Sequence, residues 1–397
     1  MRTTVFHSYG KWYLSGVNTW TVNLIRAMRE TEFDSKVLFT GIPRQPQPEL
    51  EESEIPYDFL EVSPPRKRRL EWSALKTYLE AHAPCIYITN FDFHRSCAVG
   101  TLSPEVRVVT VIHSDEECYF DELRRLGQNC NAIVCVSSYL TAKTKARFPH
   151  LADRVHFIPY GIPLPKGPIP PRSTEGPLRL CYCNRLQQYQ KRIFDLPVIA
   201  TELESLGLKY ELEIAGDGSD MEPLKDRFDQ AKLKCPIHFH GRIPNAAVFE
   251  IFNRSHLFFL TSDFEGLPLS LLEAMSVGCV PVVYQIESGI ADAIPSAQHG
   301  IQVPHGDPGA FAAAVCRLAR ERSKLGSMAE AASTHLRERF SLESMAQSSH
   351  SLFEQVLDPA APRPMRDGKI RVPLDLSMKY RLQQKWQRLL RRSDPNR

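Results

Sequence analysis

The strongest constraint on this chain is a strand–helix alternation that runs twice. Short, unbroken apolar runs at Thr3–Tyr9, Lys36–Thr40, Cys85–Thr89, Val106–His113, Ala132–Ser137 and Val155–Ile158 alternate with amphipathic stretches such as Val17–Arg29, Leu70–His82 and Tyr139–Phe148. After an interruption, runs recur at Leu178–Cys183, Tyr210–Ala215, Ile237–His240, Leu257–Thr261, Val280–Tyr284 and Ile301–Val303. Strands that read as continuous apolar runs are buried on both faces, and the helices between them are the crossovers a parallel sheet needs. The pattern predicts an α/β chain with two open, doubly wound sheets. The interruption, residues 163–177, holds six prolines and two glycines and reads as a semi-rigid linker. The expected division is a first domain over 1–162, the linker over 163–177 and a second domain over 178–340. A closing helix over 341–357, able to return to the first domain, and a basic tail over 358–397 follow.

Composition narrows the function. The 397 residues are 43% hydrophobic and 24% charged, enough for full cores without disulfide staples. The net charge of +3 is unevenly placed: residues 358–397 carry 11 basic and 4 acidic side chains, and the rest carry 38 and 42. A mildly acidic body does not suit diffuse nucleic-acid binding. The opening residues hold no apolar stretch long enough for a secretory signal, so none is expected, and the nearest approach to a membrane span, Leu267–Tyr284, is broken by Glu273, Gly278 and Pro281. The ten cysteines are scattered, and Cys181 with Cys183 reads as a pair of buried thiols. These features predict a reduced, cytoplasmic setting. Ser377–Arg392 can form a helix with Met378, Leu382, Trp386 and Leu389 on one face and Arg381, Lys385, Arg388 and Arg392 on another. Such a helix can rest on an anionic membrane, pack on the first domain or stay loose. The Arg66–Arg69 cluster is a second, weaker candidate for an anionic contact.

Ligands of open α/β sheets bind beyond the carboxyl ends of the strands, and two such domains offer the cleft between them. The most informative segment is the strand–helix–strand unit Leu257–Tyr284. Its loop Ser262-Asp263-Phe264-Glu265-Gly266-Leu267 leads into a helix at Pro268, closed by Gly278. A helix start at the carboxyl edge suits an anion, and Gly266 allows close approach of a phosphate. Glu265 and Glu273 lie in different local structures and do not resemble the paired carboxylates of a glycoside hydrolase. Glu273, set among apolar neighbours, needs a partner that a ligand could supply. After Leu178–Cys183, Arg185 and Lys191 offer a fork and a point charge suited to a diphosphate. Gly216 and Gly218, then Gly241, Arg242 and Ile243, follow further strands. In the first domain, Gly16 opens a helix and His113 ends a buried strand.

These residues together resemble glycosyltransferase family 4, the retaining GT-B enzymes. The resemblance rests on Glu265-Gly-Leu-Pro-Leu-Ser-Leu-Leu-Glu273 and the helix and strand after it, on Asn184-Arg185-Leu186 with Lys191, on Ala215-Gly216-Asp217-Gly218 and on His240-Gly241-Arg242-Ile243-Pro244. It covers about residues 1–357. It implies two Rossmann-like domains facing across a cleft and transfer of a sugar from a nucleotide-diphosphate sugar, foremost a UDP- or GDP-sugar, to a glycan or lipid-linked acceptor. It assigns Arg185 and Lys191 to the diphosphate, Glu273 to the ribose, Glu265 to the donor sugar and the amides of Gly266, Leu267 and Leu269 to sugar or phosphate. Gly216 and Ile243 would border the donor, Gly16 the phosphates, and His113 the donor sugar. No cofactor and no metal are expected, because the two cations hold the leaving group. Ser15 replaces a family glycine, the loop Gln187–Gln190 is atypical, and His240 stands where an apolar residue is usual. His238 and His240 share a strand face, which suits packing better than zinc. A sugar-nucleotide epimerase, a phosphorylase and a non-catalytic nucleotide-sugar binder are the alternatives.

Overall fold

The computed structural model describes residues 2–12, 15–62, 68–90, 92–169 and 171–370, without the side chains of Arg68 and Arg69. Arg66, Lys67 and the whole of 377–392 therefore lie outside the described residues. Among those described, 2–135, 141–156 and 349–370 form one compact unit, and 136–140 and 157–348 the other.

The first unit is built on seven strands: β1 (Thr3–Tyr9), β2 (Phe33–Phe39), β3 (Tyr57–Phe59), β4 (Cys85–Ile88), β5 (Val106–Ile112), β6 (Ala132–Cys135) and β7 (Val155–Phe157). Their order is β3-β2-β1-β4-β5-β6-β7, with β1 pairing in parallel with both β2 and β4. Chain order reverses at β1, as in nucleotide-binding α/β sheets. Strand β3 and the helix Glu117–Leu126 were not anticipated. The strand is three residues long at the sheet edge, and the helix has only a narrow apolar stripe among acidic and basic residues.

The second unit carries β8 (Leu178–Cys183), β9 (Tyr210–Ala215), β10 (Ile237–Gly241), β11 (Leu257–Leu260), β12 (Val280–Tyr284) and β13 (Ile301–Val303). Their order is β10-β9-β8-β11-β12-β13, and every pairing is parallel. Leu180, Tyr182, Leu212, Ile214, Phe259 and Val282 are buried together with the covering helices, which explains the unbroken apolar runs.

The structure adds detail to two expectations. Residues 163–177 are strapped to the second unit. Arg172 donates to the carbonyls of Phe252, Ser255 and Val277, and Arg337 donates to those of Pro165 and Gly167. The tail does not begin as a free appendage either. The Arg366 guanidinium is inserted into the first unit, donating to the carbonyls of Leu102, Ser103 and Val106 and to Asn131 Oδ1. Asn129 donates to the Met365 carbonyl, and Gly368 N–H to that of Gly100. The helix Leu342–Leu357 ends on the first unit, where Phe353 meets Phe33 and His350 Nε2 lies 3.0 Å from Glu32.

The cysteines are free thiols. Cys181 lies 3.8 Å from Cys279 in the second core. No helix among the described residues is long and apolar enough to cross a membrane.

Candidate functional site

In the second sheet the order turns at β8, between β9 and β11, and ligands of such sheets bind outside the carboxyl ends at this point. Two loops meet there, 184–192 after β8 and 261–268 after β11. Asp263 N–H donates to the Gln190 carbonyl at 2.8 Å, and the Thr261 hydroxyl to that of Lys191 at 2.7 Å. The Gln190 amide reaches the Phe264 carbonyl, and Tyr189 meets the Phe264 ring edge-on at 5.4 Å. The loops behave as one surface.

This lock brings Lys191 Nζ to 2.5 Å from Glu265 Oε1, and the Ser262 hydroxyl donates to the same oxygen at 2.6 Å. Lys191 is 8% and Glu265 5% exposed. Burying two charges is costly unless geometry and hydrogen bonds compensate, and both are supplied here. Neither bond uses Oε2 of Glu265.

Glu273 lies on the helix Leu269–Ser276, one turn past its start. It is 8% exposed and its carboxylate has no hydrogen-bond partner among the described residues; burial raises its pKa to about 7. Pro268 occupies the N-cap rather than the first helical position, and no side chain caps the helix. At the other end Gly278, at φ +83°, donates to the Met275 carbonyl, and Cys279 N–H to that of Ala274. This is the paired closure a glycine permits. Leu267 and Leu269 are buried, so their side chains are packing groups and only their amides are suited to a ligand. Gly266 is held from behind, its carbonyl accepting from Gly289 N–H at 2.6 Å.

Arg185 stands apart from the Lys191–Glu265 pair. It is exposed and its guanidinium has no partner among the described residues. Its neighbour Asn184 accepts from the Ser270 hydroxyl at 2.7 Å, tying the first loop to the start of the Glu273 helix. Gly216, at φ +133°, backs this loop, and a Cβ there would sit 1.9 Å from the Asn184 carbonyl oxygen. The structure thus gives Gly216 a direct reason in close backbone approach. Ile243 lies between β10 and the helix Asn245–Arg254, partly exposed. His240 Nε2 lies 2.8 Å from Glu213, which Arg254 also grips, so the unusual histidine is a clamp on an edge strand. Among the described residues, no metal-ligating group includes it.

The remaining two candidates lie in the first unit. Gly16 opens the helix Gly16–Ala27, whose Ser15 N-cap accepts from Asn18 N–H. His113 follows β5, buried, with Nε2–H donating to Asn90 Oδ1 at 3.2 Å and its ring edge-on to Trp20 at 4.9 Å. Burial lowers its pKa to about 3, so the ring is neutral at physiological pH.

Sequence reasoning missed Ser262, Asn184 and the groups around Arg192. Ser262 lies three residues before Glu265, and nothing in that spacing reveals that its hydroxyl turns back onto the carboxylate.

The fold and this edge define a protein of two Rossmann-like α/β units with a cation–carboxylate pair beside a helix start. Family models agree with that class: residues 14–165 match "Glycosyltransferase Family 4" and residues 169–335 match "Glycosyl transferases group 1". The chain belongs to glycosyltransferase family 4 and has the GT-B fold. It is 30% identical over 155 residues to the amylovoran biosynthesis glycosyltransferase AmsK of Erwinia amylovora, covering 37% of each chain. The chain spans 13% to 41% of the length of the curated relatives it matches. Among solved structures, a Rickettsia africae glycosyltransferase aligns with TM-score 0.71 at 12% identity, over 90% of this chain and 100% of that one. Anabaena HepE in complex with UDP aligns with TM-score 0.71 at 12% identity, over 89% and 100%.

Proposed function

We propose that this protein transfers a sugar, with retention of configuration, from a nucleotide-diphosphate sugar to a hydroxyl of a glycan or lipid-linked acceptor, in polysaccharide or glycoconjugate synthesis. The observation that carries the reading is the Lys191–Glu265 pair, buried at the switch point, with Glu265 on the loop that leads into the helix of the unpartnered Glu273. The solved relative HepE binds UDP, and AmsK is named for polysaccharide synthesis.

The roles follow from chemistry. The leaving group is a nucleoside diphosphate whose bridging oxygen gains negative charge as the C1–O bond breaks. Lys191 is a fixed cation for that charge, and exposed Arg185 offers a fork to the outer phosphate oxygens. Glu265 holds Lys191 through Oε1 and has Oε2 for a sugar hydroxyl. Glu273 accepts hydrogen bonds from the ribose diol, which would satisfy its buried carboxylate. His113, neutral, serves as a hydrogen-bond partner for a sugar hydroxyl rather than as a cation, and Gly16 borders the phosphates. The acceptor oxygen attacks C1 from the face the phosphate leaves, and its proton passes to the departing phosphate oxygen. Charge stabilisation comes from the two cations, so the reading includes no metal or other cofactor. Peripheral attachment of residues 377–392 to the cytoplasmic face of a membrane belongs to the same proposal.

The test is Lys191→Ala. Loss of a charge-stabilising donor predicts a fall of about 100-fold or more in turnover of the donor chosen by a thermal-shift panel of UDP-, GDP-, ADP- and dTDP-sugars. A variant with wild-type turnover would remove Lys191 from the mechanism.

A further inference from the structure

Directly after Lys191 comes a residue in a conformation its side chain disfavours. Arg192 has φ 45° and ψ 44°, the left-handed region, and caps the short helix Gln188–Lys191. A side chain with a Cβ is strained there, and strain that persists needs compensation from its surroundings. The guanidinium supplies it. Arg192 Nε donates to Asp195 Oδ2 at 3.0 Å, and a terminal nitrogen donates to Asp195 Oδ1 at 3.4 Å. The other terminal nitrogen crosses to the second loop and donates to Asp263 Oδ1 at 3.3 Å. The guanidinium also lies 6.0 Å from the Tyr284 ring centroid, and the Tyr284 hydroxyl donates to Asp195 Oδ2 at 2.8 Å. His305 Nε2 approaches Asp263 Oδ1 from the far side at 2.9 Å.

We infer that Arg192 is a positioning residue: its fork staples the Lys191 loop to the Glu265 loop through Asp263 and so sets the register of the Lys191–Glu265 pair. The inference rests on the roles proposed above for that pair. Three placements support it. Arg192 is adjacent to Lys191, and Asp263 is two residues before Glu265. Asp263 N–H already meets the carbonyl of Gln190, so the side-chain bridge reinforces a backbone contact between the same loops. Asp195 and Tyr284 hold the guanidinium from behind, so the crossing nitrogen has a fixed origin. A planar guanidinium serves the two carboxylates in one fixed geometry, which the rotatable, point-like ammonium of a lysine would not impose.

The test uses the full chain with Arg192→Gly, Asp263→Asn and the double variant. Glycine adopts the left-handed conformation freely, so Arg192→Gly removes the staple while relieving the strain. UDP and GDP binding by calorimetry, kcat with the selected donor sugar and Tm are measured together. Each single variant is expected to weaken nucleotide binding and lower kcat by about tenfold, with the double variant no worse than either. In a Lys191→Ala background, Arg192→Gly should change binding by less than about twofold, because it acts through Lys191. Wild-type binding and kcat in Arg192→Gly overturn the inference, whether or not Tm falls. If Lys191→Ala is fully active, or none of UDP, GDP, ADP and dTDP binds the wild type, the donor reading itself fails and the inference with it.

Discussion

Glu273 offers the sharpest physical prediction, because one carboxylate ties stability to binding with opposite signs. Burial raises its pKa from the usual carboxylate range to about 7, and no cation or hydrogen-bond donor among the described residues offsets this. The folded value lies above the unfolded one, so the unfolded chain loses this proton first as pH rises. Stability is therefore intact below about pH 4.5, declines through about pH 7, and is lowest above it. With roughly 1.36 kcal/mol per pKa unit, the full penalty is about 3 kcal/mol, an upper figure because water entry and relaxation reduce it.

Glu273→Gln keeps the shape and removes the charge. In the ligand-free protein it should raise Tm at pH 8 by roughly 5–10 °C and leave Tm at pH 4.5 close to wild type. The same change should weaken nucleotide binding by about tenfold, since the amide cannot accept from two ribose hydroxyls with a full negative charge. Differential scanning calorimetry across pH 4.5–8, with and without nucleotide, reads both effects. A Tm difference independent of pH would refute the desolvation argument. A stabilised variant with unchanged nucleotide affinity would refute the ribose assignment alone.

Two further predictions concern the scaffold. Gly216→Ala places a Cβ 1.9 Å from the Asn184 carbonyl oxygen at a φ of +133°. It should cost about 2 kcal/mol or more and lower the midpoint of urea unfolding; an unchanged midpoint would show that the backing contact is slack. Arg366→Ala removes the guanidinium from the carbonyls of Leu102, Ser103 and Val106, while Asn131 Oδ1 keeps the Val108 N–H, at a cost of about 1–3 kcal/mol. Limited proteolysis after residue 357 should accelerate in that variant, and an unchanged cleavage rate would show that the strap is held by other contacts.

The fold was legible because it is written in periodicity. Continuous apolar strands and amphipathic helices repeat across both units, and a single register of burial explains them. The elements that escaped were a short edge strand and the helix Glu117–Leu126, whose apolar stripe is narrow. β3 spans three residues, and residues 163–177 read as a linker because proline and glycine say nothing about what Arg172 will hold. The site was legible where chemistry is local. Glu265, Gly266 and Glu273 share one strand–helix unit, and Lys191 follows the next strand over. What could not be read is lateral contact. That Lys191 meets Glu265, or that Asn184 meets Ser270, depends on the spacing of β8 and β11, which adjoin only because the sheet order doubles back.

Several costly departures from local preference share the proposed site. Within the second unit, a left-handed arginine, a buried lysine–glutamate pair and a buried, unpartnered glutamate all sit around the carboxyl ends of β8 and β11. Each is unfavourable alone: the first by steric strain, the others by desolvation. Strain at Arg192 is offset inside the protein, by Asp195, Asp263 and Tyr284. The desolvated Glu273 is not offset by any described side chain, and a bound donor of hydrogen bonds would supply the compensation. The distinction separates two kinds of residue at one site. Residues whose cost is met internally set geometry, and their removal should disturb register. Residues whose cost is unmet await the ligand, and their neutralisation should stabilise the empty protein while weakening the complex. Arg192→Gly and Glu273→Gln should thus move Tm and affinity in different combinations, and a shared pattern would show that this division is false.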